Sequence, residues 1–276
     1  MEFEQPLQVK DLHKSYRVSK DRNPTGLFAA VRGISFEVRK GECFGLLGPN
    51  GAGKSTTIQC ISGFYPATAG EVLVLGHNVF DAPKTARKFL GICPQEDTLD
   101  SDFNVLDQMI RHASYYRIPV SEGRRRAEAL LKRFQLEDKS KDMVESLSGG
   151  MKRRLQVARA LVSNPEVLIL DEPTTGLDPE VRRILWDVIL EYRARGLAIL
   201  LSTHYMDEAE RLCDRIGIIY EGKILEIDTP QNLIKRHVPR EMIEEEVKPG
   251  VIWKRPPNLE DVYLKVTGNT LGARSG

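Results

Sequence analysis

The segment Gly48-Pro-Asn-Gly-Ala-Gly-Lys-Ser-Thr56 constrains this chain more than any other. An apolar run, Cys43-Phe-Gly-Leu-Leu47, precedes it, and a helix is expected over residues 55–63 after it. A buried strand, a glycine-rich turn and a helix in that order make a phosphate cradle. The glycines let backbone N–H groups turn inward, and the helix presents its positive end. In the pattern GxxxxGK[ST], Lys54 carries positive charge to the outer phosphates and Ser55 offers a hydroxyl to Mg2+. The phosphate-binding candidates are therefore Gly48, Pro49, Asn50, Gly51, Ala52, Gly53, Lys54, Ser55 and Thr56.

A cradle of this kind needs a parallel sheet behind it, and the rest of the chain supplies the pattern for one. Leu7 to Leu12 and Gly33 to Arg39 alternate with period two, and residues 19–26 between them form a polar, turn-rich loop. A strand pair is expected around residues 71–79, and helical character runs from about 104 to 137. There Ala127, Leu130, Leu131 and Phe134 share one face, while Arg124, Arg125 and Arg126 read as a solvated one. Apolar strands at 167–170, 197–201 and 215–220 alternate with helices at 152–163, 182–195 and 206–213. This alternation predicts an open parallel α/β sheet whose ligand lies at the carboxyl ends of the strands. Beyond residue 230 the pattern weakens to an acidic stretch, a Pro256-Pro257 break and one short helix at 259–266, and the last six residues are expected to fray.

The strand Val167-Leu-Ile-Leu170 has no polar face, yet it ends in Asp171 and Glu172. Two acids there are costly to desolvate unless they meet a cation or a reacting group. Asp171 suits the coordination sphere of Mg2+, and Glu172 suits polarising an attacking water.

Charge and composition exclude several alternatives. Lys+Arg 40 against Asp+Glu 39 offers no bulk charge to hold nucleic acid. Cys43, Cys60, Cys93 and Cys213 show no metal spacing and read as small buried hydrophobes. The longest apolar stretches are far short of the roughly 18 residues of a membrane span. The first residues lack the basic and apolar regions of a signal peptide, so a soluble cytoplasmic protein is expected.

One further segment narrows the class. Leu147-Ser-Gly-Gly-Met151 lies between the two phosphate-handling motifs and resembles the signature of ATP-binding cassette (ABC) ATPases, with Met151 where many members carry Gln. Pro94-Gln95 resembles the Q-loop of that family, Gly176-Leu177-Asp178 the D-loop, His204 the switch histidine, and Tyr16 the aromatic that stacks on adenine. Read alone, Ser148 is a helix cap, Asp178 a cap for the helix after Pro179, Tyr16 a core residue, and Gln95 a surface side chain. The loop from Arg17 to Ala30 looks longer than in typical cassettes.

The resemblance covers Leu7 to about Pro230. It implies a P-loop (RecA-like) core with a mostly parallel sheet, an N-terminal antiparallel β subdomain and an α-helical signature subdomain. It divides the chain into a cassette over 1–230, with its helical part at about 96–150, and a short extension over 231–276. The implied cofactors are ATP and Mg2+, the metal held by Ser55, Gln95 and Asp171. Glu172, His204 and Gln95 would be catalytic, and Ser148, Gly149, Gly150 and Asp178 would meet ATP in trans across a head-to-tail pair. The segments 147–154, 94–97, 203–209 and 258–265 resemble those of drug, polysaccharide and nodulation-factor exporter ATPases. The implied partners are an identical or second cassette and a separate multi-span permease, contacted through residues 93–105 on the cytoplasmic face of the membrane. The rival reading is a cytosolic ABC-type ATPase acting on ribosomes or nucleic acid. One cassette, no sustained heptads and a flat charge argue against it.

Overall fold

The computed structural model describes residues 4–19, 25–239, 242–248 and 251–268. The centre of the expected loop at 19–26 and the end of the chain expected to fray lie outside these residues.

Strand β1 (Leu7–Arg17) pairs antiparallel with β2 (Leu27–Val38), and Leu7, Val9 and Leu12 point inward from β1. The expected loop from Arg17 to Ala30 is shorter than read, because residues 27–30 belong to β2 and Tyr16 stands in register with Phe28. Leu27 and Phe28 are half exposed, so this end of the strand lacks the buried alternation that marks the rest. Strand β3 (Cys43–Leu47), buried at every position, leads into α1 (Lys54–Ile61). Strands β4 (Ala69–Val74) and β5 (His77–Asn78) complete a four-stranded antiparallel sheet in the order β2-β1-β4-β5.

Helix α2 (Pro83–Ala86) and strand β6 (Leu90–Cys93) follow, then α3 (Val105–Tyr115), α4 (Val120–Arg133) and α5 (Gly149–Leu161). The helical stretch expected at 104–137 is thus two helices, broken where Arg117 takes a positive φ of 59° before Pro119. Next come β7 (Val167–Asp171), α6 (Pro179–Ala194), β8 (Ala198–Thr203), α7 (Met206–Leu212), β9 (Arg215–Tyr220) and β10 (Lys223–Asp228). The chain then forms α8 (Pro230–His237), a hairpin of β11 (Ile243–Lys248) and β12 (Val251–Arg255), and α9 (Leu259–Thr267).

The second sheet has the order β10-β9-β3-β8-β7-β6; all its pairings are parallel except β10 with β9. Its central strands bury both faces, which is why they read as apolar runs without alternation. Phe44, Leu46, Ile169 and Leu200 face the antiparallel sheet, where Phe36 stacks on Phe44 at 4.9 Å; Leu47, Leu170 and Leu201 face the helices. Each such side chain contributes about 1.5–3 kcal/mol when buried. Leu233, Val238, Leu259, Val262 and Tyr263 of the last helices join the same helical core. The Glu210 carboxylate accepts from the Leu259 N–H at 2.6 Å, tying α9 to α7. Because β3, β8, β7 and β6 are parallel neighbours, the loops after all four open at one sheet edge.

Candidate active site

The phosphate loop turns where only glycine fits. A Cβ on Gly48 would lie 2.2 Å from the Ile219 carbonyl, and Gly53 sits at φ 106° with the Ala30 carbonyl 2.5 Å from where its Cβ would be. Helix α1 has no side-chain cap at its N-terminus and no acid in its first turn. Its free N–H groups and positive dipole are therefore left for an anion. Lys54, only 4% exposed, donates to the carbonyls of Gly48 at 2.8 Å and Pro49 at 3.1 Å, and its Nζ lies 3.1 Å from Glu172 Oε1. Burial pulls its pKa down, and Glu172 opposes that pull.

Across the sheet edge stand the two acids. Asp171 Oδ1 accepts from Ser202 Oγ at 2.5 Å and from Ser55 Oγ at 3.3 Å. Burial pushes its carboxyl up, and the two hydroxyls pull against that. Glu172 occupies a left-handed backbone conformation at φ 46°, costly for a non-glycine residue, which redirects its side chain from the strand into the cleft. Its Oε2 accepts from Gln95 Nε2 at 3.3 Å and Thr175 Oγ1 at 3.2 Å. His204 Nδ1 lies 3.3 Å from the same oxygen, within ion-pair distance but not aligned for a hydrogen bond. Burial raises the Glu172 carboxyl, but Lys54 and His204 together outweigh it and hold the group below the usual carboxylate range. The buried pair thus keeps Glu172 ionised, as a proton acceptor must be.

A cleft of about 290 Å³ extends from this cluster between the phosphate loop and the two N-terminal strands. Tyr16, Phe28, Asn50, Gly51 and Thr56 line it together with Lys54 and Glu172. Tyr16 is packed edge-on against Tyr65, and Lys14 Nζ lies 5.0 Å from the Tyr16 ring centre. The structure therefore gathers Tyr16, the phosphate loop, Gln95, Asp171, Glu172 and His204 in one place.

It does not bring the signature there. The Ser148 hydroxyl accepts from Met151 N at 3.3 Å and caps α5, which begins three residues earlier than the apolar pattern suggests. Gly149 and Gly150 line a separate groove of about 400 Å³ that reaches Gln95 and Glu172 from the other side. Asp178 caps α6 by accepting from Glu180 N at 3.1 Å and Val181 N at 3.0 Å. The Ser-Gly-Gly helix entry thus lies apart from its own phosphate loop, with Ser148 and Gly149 exposed.

Sequence reasoning missed Phe28, Ser202 and Thr175. Phe28 stands half exposed opposite Tyr16 in the register of β1 and β2, a pairing that the sequence does not announce. Ser202, the penultimate residue of β8, stands beside Asp171 in the parallel register, a neighbour that only the strand order reveals.

A family profile described as "ABC transporter" matches residues 31–175. The chain is 40% identical over 282 residues to "Nod factor export ATP-binding protein I" of Burkholderia thailandensis, covering 87% of this chain and 93% of that protein. It is 38% identical to the protein of the same name from Rhizobium sp. (strain N33), over 87% and 93% of the two chains. Among solved structures, an "ATP binding subunit of ABC transporter" superposes with a TM-score of 0.79 at 30% identity, over 95% of this chain and 99% of that one. A dimeric bacterial ABC transporter cassette, MJ0796, shares the fold with a TM-score of 0.74 at 24% identity, over 81% and 98%.

Proposed function

The chain belongs to the ABC transporter family and is an ATP-binding ATPase subunit of that class; from that premise we propose that it powers an exporter by closing head to tail on a second cassette around two Mg-ATP. In this reading residues 1–230 are the cassette and 231–276 a short extension, whose helices α8 and α9 pack on it through Leu233, Leu259, Val262 and Tyr263.

The observation that carries the proposal is the position of Glu172. Its carboxylate is kept ionised beside Lys54, Gln95 and His204, at the edge where the phosphate loop ends. The adenine of ATP stacks at Tyr16 and Phe28, and the triphosphate lies along the backbone N–H groups of residues 48–56. Lys54 pairs with the terminal phosphates. The donors Ser55, Asp171 and Gln95 suit Mg2+: all offer hard oxygen, and Ser55 Oγ and Asp171 Oδ1 already converge at 3.3 Å. Magnesium, when bound, neutralises phosphate charge. Glu172 orients a water and takes its proton, and His204 holds the γ-phosphate side of that water. Ser148, Gly149, Gly150 and Asp178 of the partner cassette complete the charge balance that one half-site leaves open.

Export is supported by the names of the relatives, "Nod factor export ATP-binding protein I". Among the described residues no helix is long and apolar enough to cross a membrane. In this reading the transport path belongs to a separate permease. We assign its docking surface to residues 93–105 and the largely apolar groove of about 460 Å³ beside Ile92, Pro94 and Phe64. In this reading the chain lies against that permease on the cytoplasmic face of the membrane.

Glu172→Gln tests the reading. It is expected to bind ATP and run at twice the mass on a sizing column with Mg-ATP, with turnover about 10²–10⁴-fold down. Wild-type turnover in that variant overturns the assignment of Glu172. A chain that binds ATP but never pairs overturns the dimer.

A further inference from the structure

Arg153 is 7% exposed and, among the described residues, pairs with no carboxylate. Its guanidinium instead spends its donors on backbone carbonyls of the two loops that carry Gln95 and Glu172. Nε donates to Pro173 O at 2.8 Å, and Nη2 donates to Asp171 O at 2.7 Å and Glu172 O at 3.0 Å. Nη1 donates to Pro94 O at 2.6 Å, with Gln95 O at 3.4 Å and Gln156 Oε1 at 3.0 Å. Three consecutive carbonyls, those of residues 171, 172 and 173, converge on one cation only if the chain curls around it. The positive φ of Glu172 is that curl. The cation thus offsets the strain that aims the carboxylate into the cleft.

The same helix face holds more of the neighbouring loop. Gln156 Nε2 donates to Glu96 O at 2.8 Å, and Arg159 Nη1 donates to Thr98 O at 2.7 Å. Residues 153, 156 and 159 lie at i, i+3 and i+6, one stripe of α5, and grip the loop from 94 to 98 along its length. Helix α5 and this loop are therefore one body, and Arg153 is the point where that body meets Glu172.

We propose that Arg153 is a positioning residue for hydrolysis: it fixes the backbone of Glu172 and of Gln95 together, so that displacement of the 94–98 loop or of the signature helix is felt at the carboxylate that takes the proton of the attacking water. This rests on the roles given above to Glu172 and Gln95. Arg153 touches neither substrate nor the phosphate loop, so its effect falls on turnover and leaves nucleotide binding alone.

The test compares Arg153→Lys and Arg153→Met with wild type in the full chain. Binding of a fluorescent ATP analogue gives the number of competent sites and their affinity, and steady-state hydrolysis is expressed per competent site. Affinity is expected to stay within about threefold, and kcat to fall about 10²-fold in both variants, the scale of a misplaced reacting group. Lys fails to rescue because a point cation cannot span the planar fork of acceptors. A merely structural role predicts the opposite: fewer competent sites with wild-type kcat per site, and that result overturns the proposal. Wild-type kcat in Arg153→Lys overturns it too, as does nucleotide affinity falling in step with turnover. Glu172→Gln is assayed beside them. If it turns over normally, the role of Glu172 itself has failed. If it is inactive while the Arg153 variants are not, only the role of Arg153 has.

Discussion

Lys54 Nζ lies 3.1 Å from Glu172 Oε1, with both side chains almost wholly buried. The ammonium already donates to two carbonyls of the phosphate loop, so a terminal phosphate competes with Glu172 for it. Binding the substrate charge therefore releases the carboxylate to a water, and one ion pair links occupancy to readiness for attack. Neutralising Glu172 removes the competitor. Glu172→Gln is expected to bind ATP at least as tightly as wild type while turnover collapses, and a nucleotide titration beside an ATPase assay checks it; weaker binding refutes the competition.

The same pair predicts a stability effect. Lys54→Met leaves Glu172 buried with His204, Gln95 and Thr175 but without its main counter-charge. Removing one partner of a buried pair costs about 3–5 kcal/mol, and the remaining hydrogen bonds put this case at the lower end. Adding Glu172→Gln to Lys54→Met removes the orphaned charge, so the double variant is expected to recover most of the loss. Urea unfolding of the two single variants and the double closes the cycle.

His112 on α3 sits 5.5 Å from the Tyr116 ring and 6.1 Å from that of Tyr115. Burial first, and the nearby Arg159 second, push its pKa down from 6.5 to about 4. Between these values the unfolded chain binds a proton that the folded chain does not, so stability falls as pH drops from about 6.5 and levels off below about 4. The loss between pH 7 and pH 5 is on the order of 2 kcal/mol. His112→Phe is expected to flatten that part of the stability profile, and chemical unfolding at the two pH values reads the slope; an unchanged slope places the titration elsewhere.

These groups differ in how far the sequence announced them. The phosphate loop and the Asp171-Glu172 pair are local: neighbouring residues do one job, and spacing is enough to find them. The strand order that joins the loops was not local. Strand β6 has four residues between a 3-10 turn and a proline, too few for a period to show. Strand β10 has only exposed and half-buried positions and so lacks a buried face, and β11 opens Ile-Glu-Glu-Glu, against any period of two. Arg153 was visible only as one of several basic residues after the signature. Its meaning lies in backbone carbonyls 18 to 59 positions away, and carbonyls leave no mark on a sequence. Phe28 and Ser202 became site residues through cross-strand register, which motif reading does not supply.

Glu208 is a buried carboxylate outside the phosphate site. Its Oε1 accepts from Thr174 Oγ1 at 2.8 Å and Trp186 Nε1 at 3.0 Å, tying α7 to the loop after Glu172 and to α6. Burial raises its pKa, with its hydrogen bonds pulling against that. Glu208→Ala strands a hydroxyl and an indole N–H without an acceptor, at about 1–3 kcal/mol. Glu208→Gln keeps an oxygen for both and sheds the buried charge, so its melting point is expected to match wild type. Equal losses in the two variants refute a role through these hydrogen bonds.

Asp178 separates two roles within one side chain. Oδ1 takes both capping bonds at the start of α6, from the N–H groups of Glu180 and Val181, and the residue is exposed. Asn caps a helix about as well as Asp, whereas Ala loses about 1 kcal/mol. Asp178→Asn therefore keeps the fold intact while removing the negative charge from the surface that the proposed partner cassette covers. If that charge is used across the pair, Asp178→Asn melts like wild type and turns ATP over several-fold more slowly, while Asp178→Ala shows both losses. Turnover that follows stability in all three proteins would make the cap the whole of its role. We expect the first outcome, because both capping bonds use one oxygen of an exposed residue that directly follows Gly176 and Leu177, which line the groove of the signature glycines.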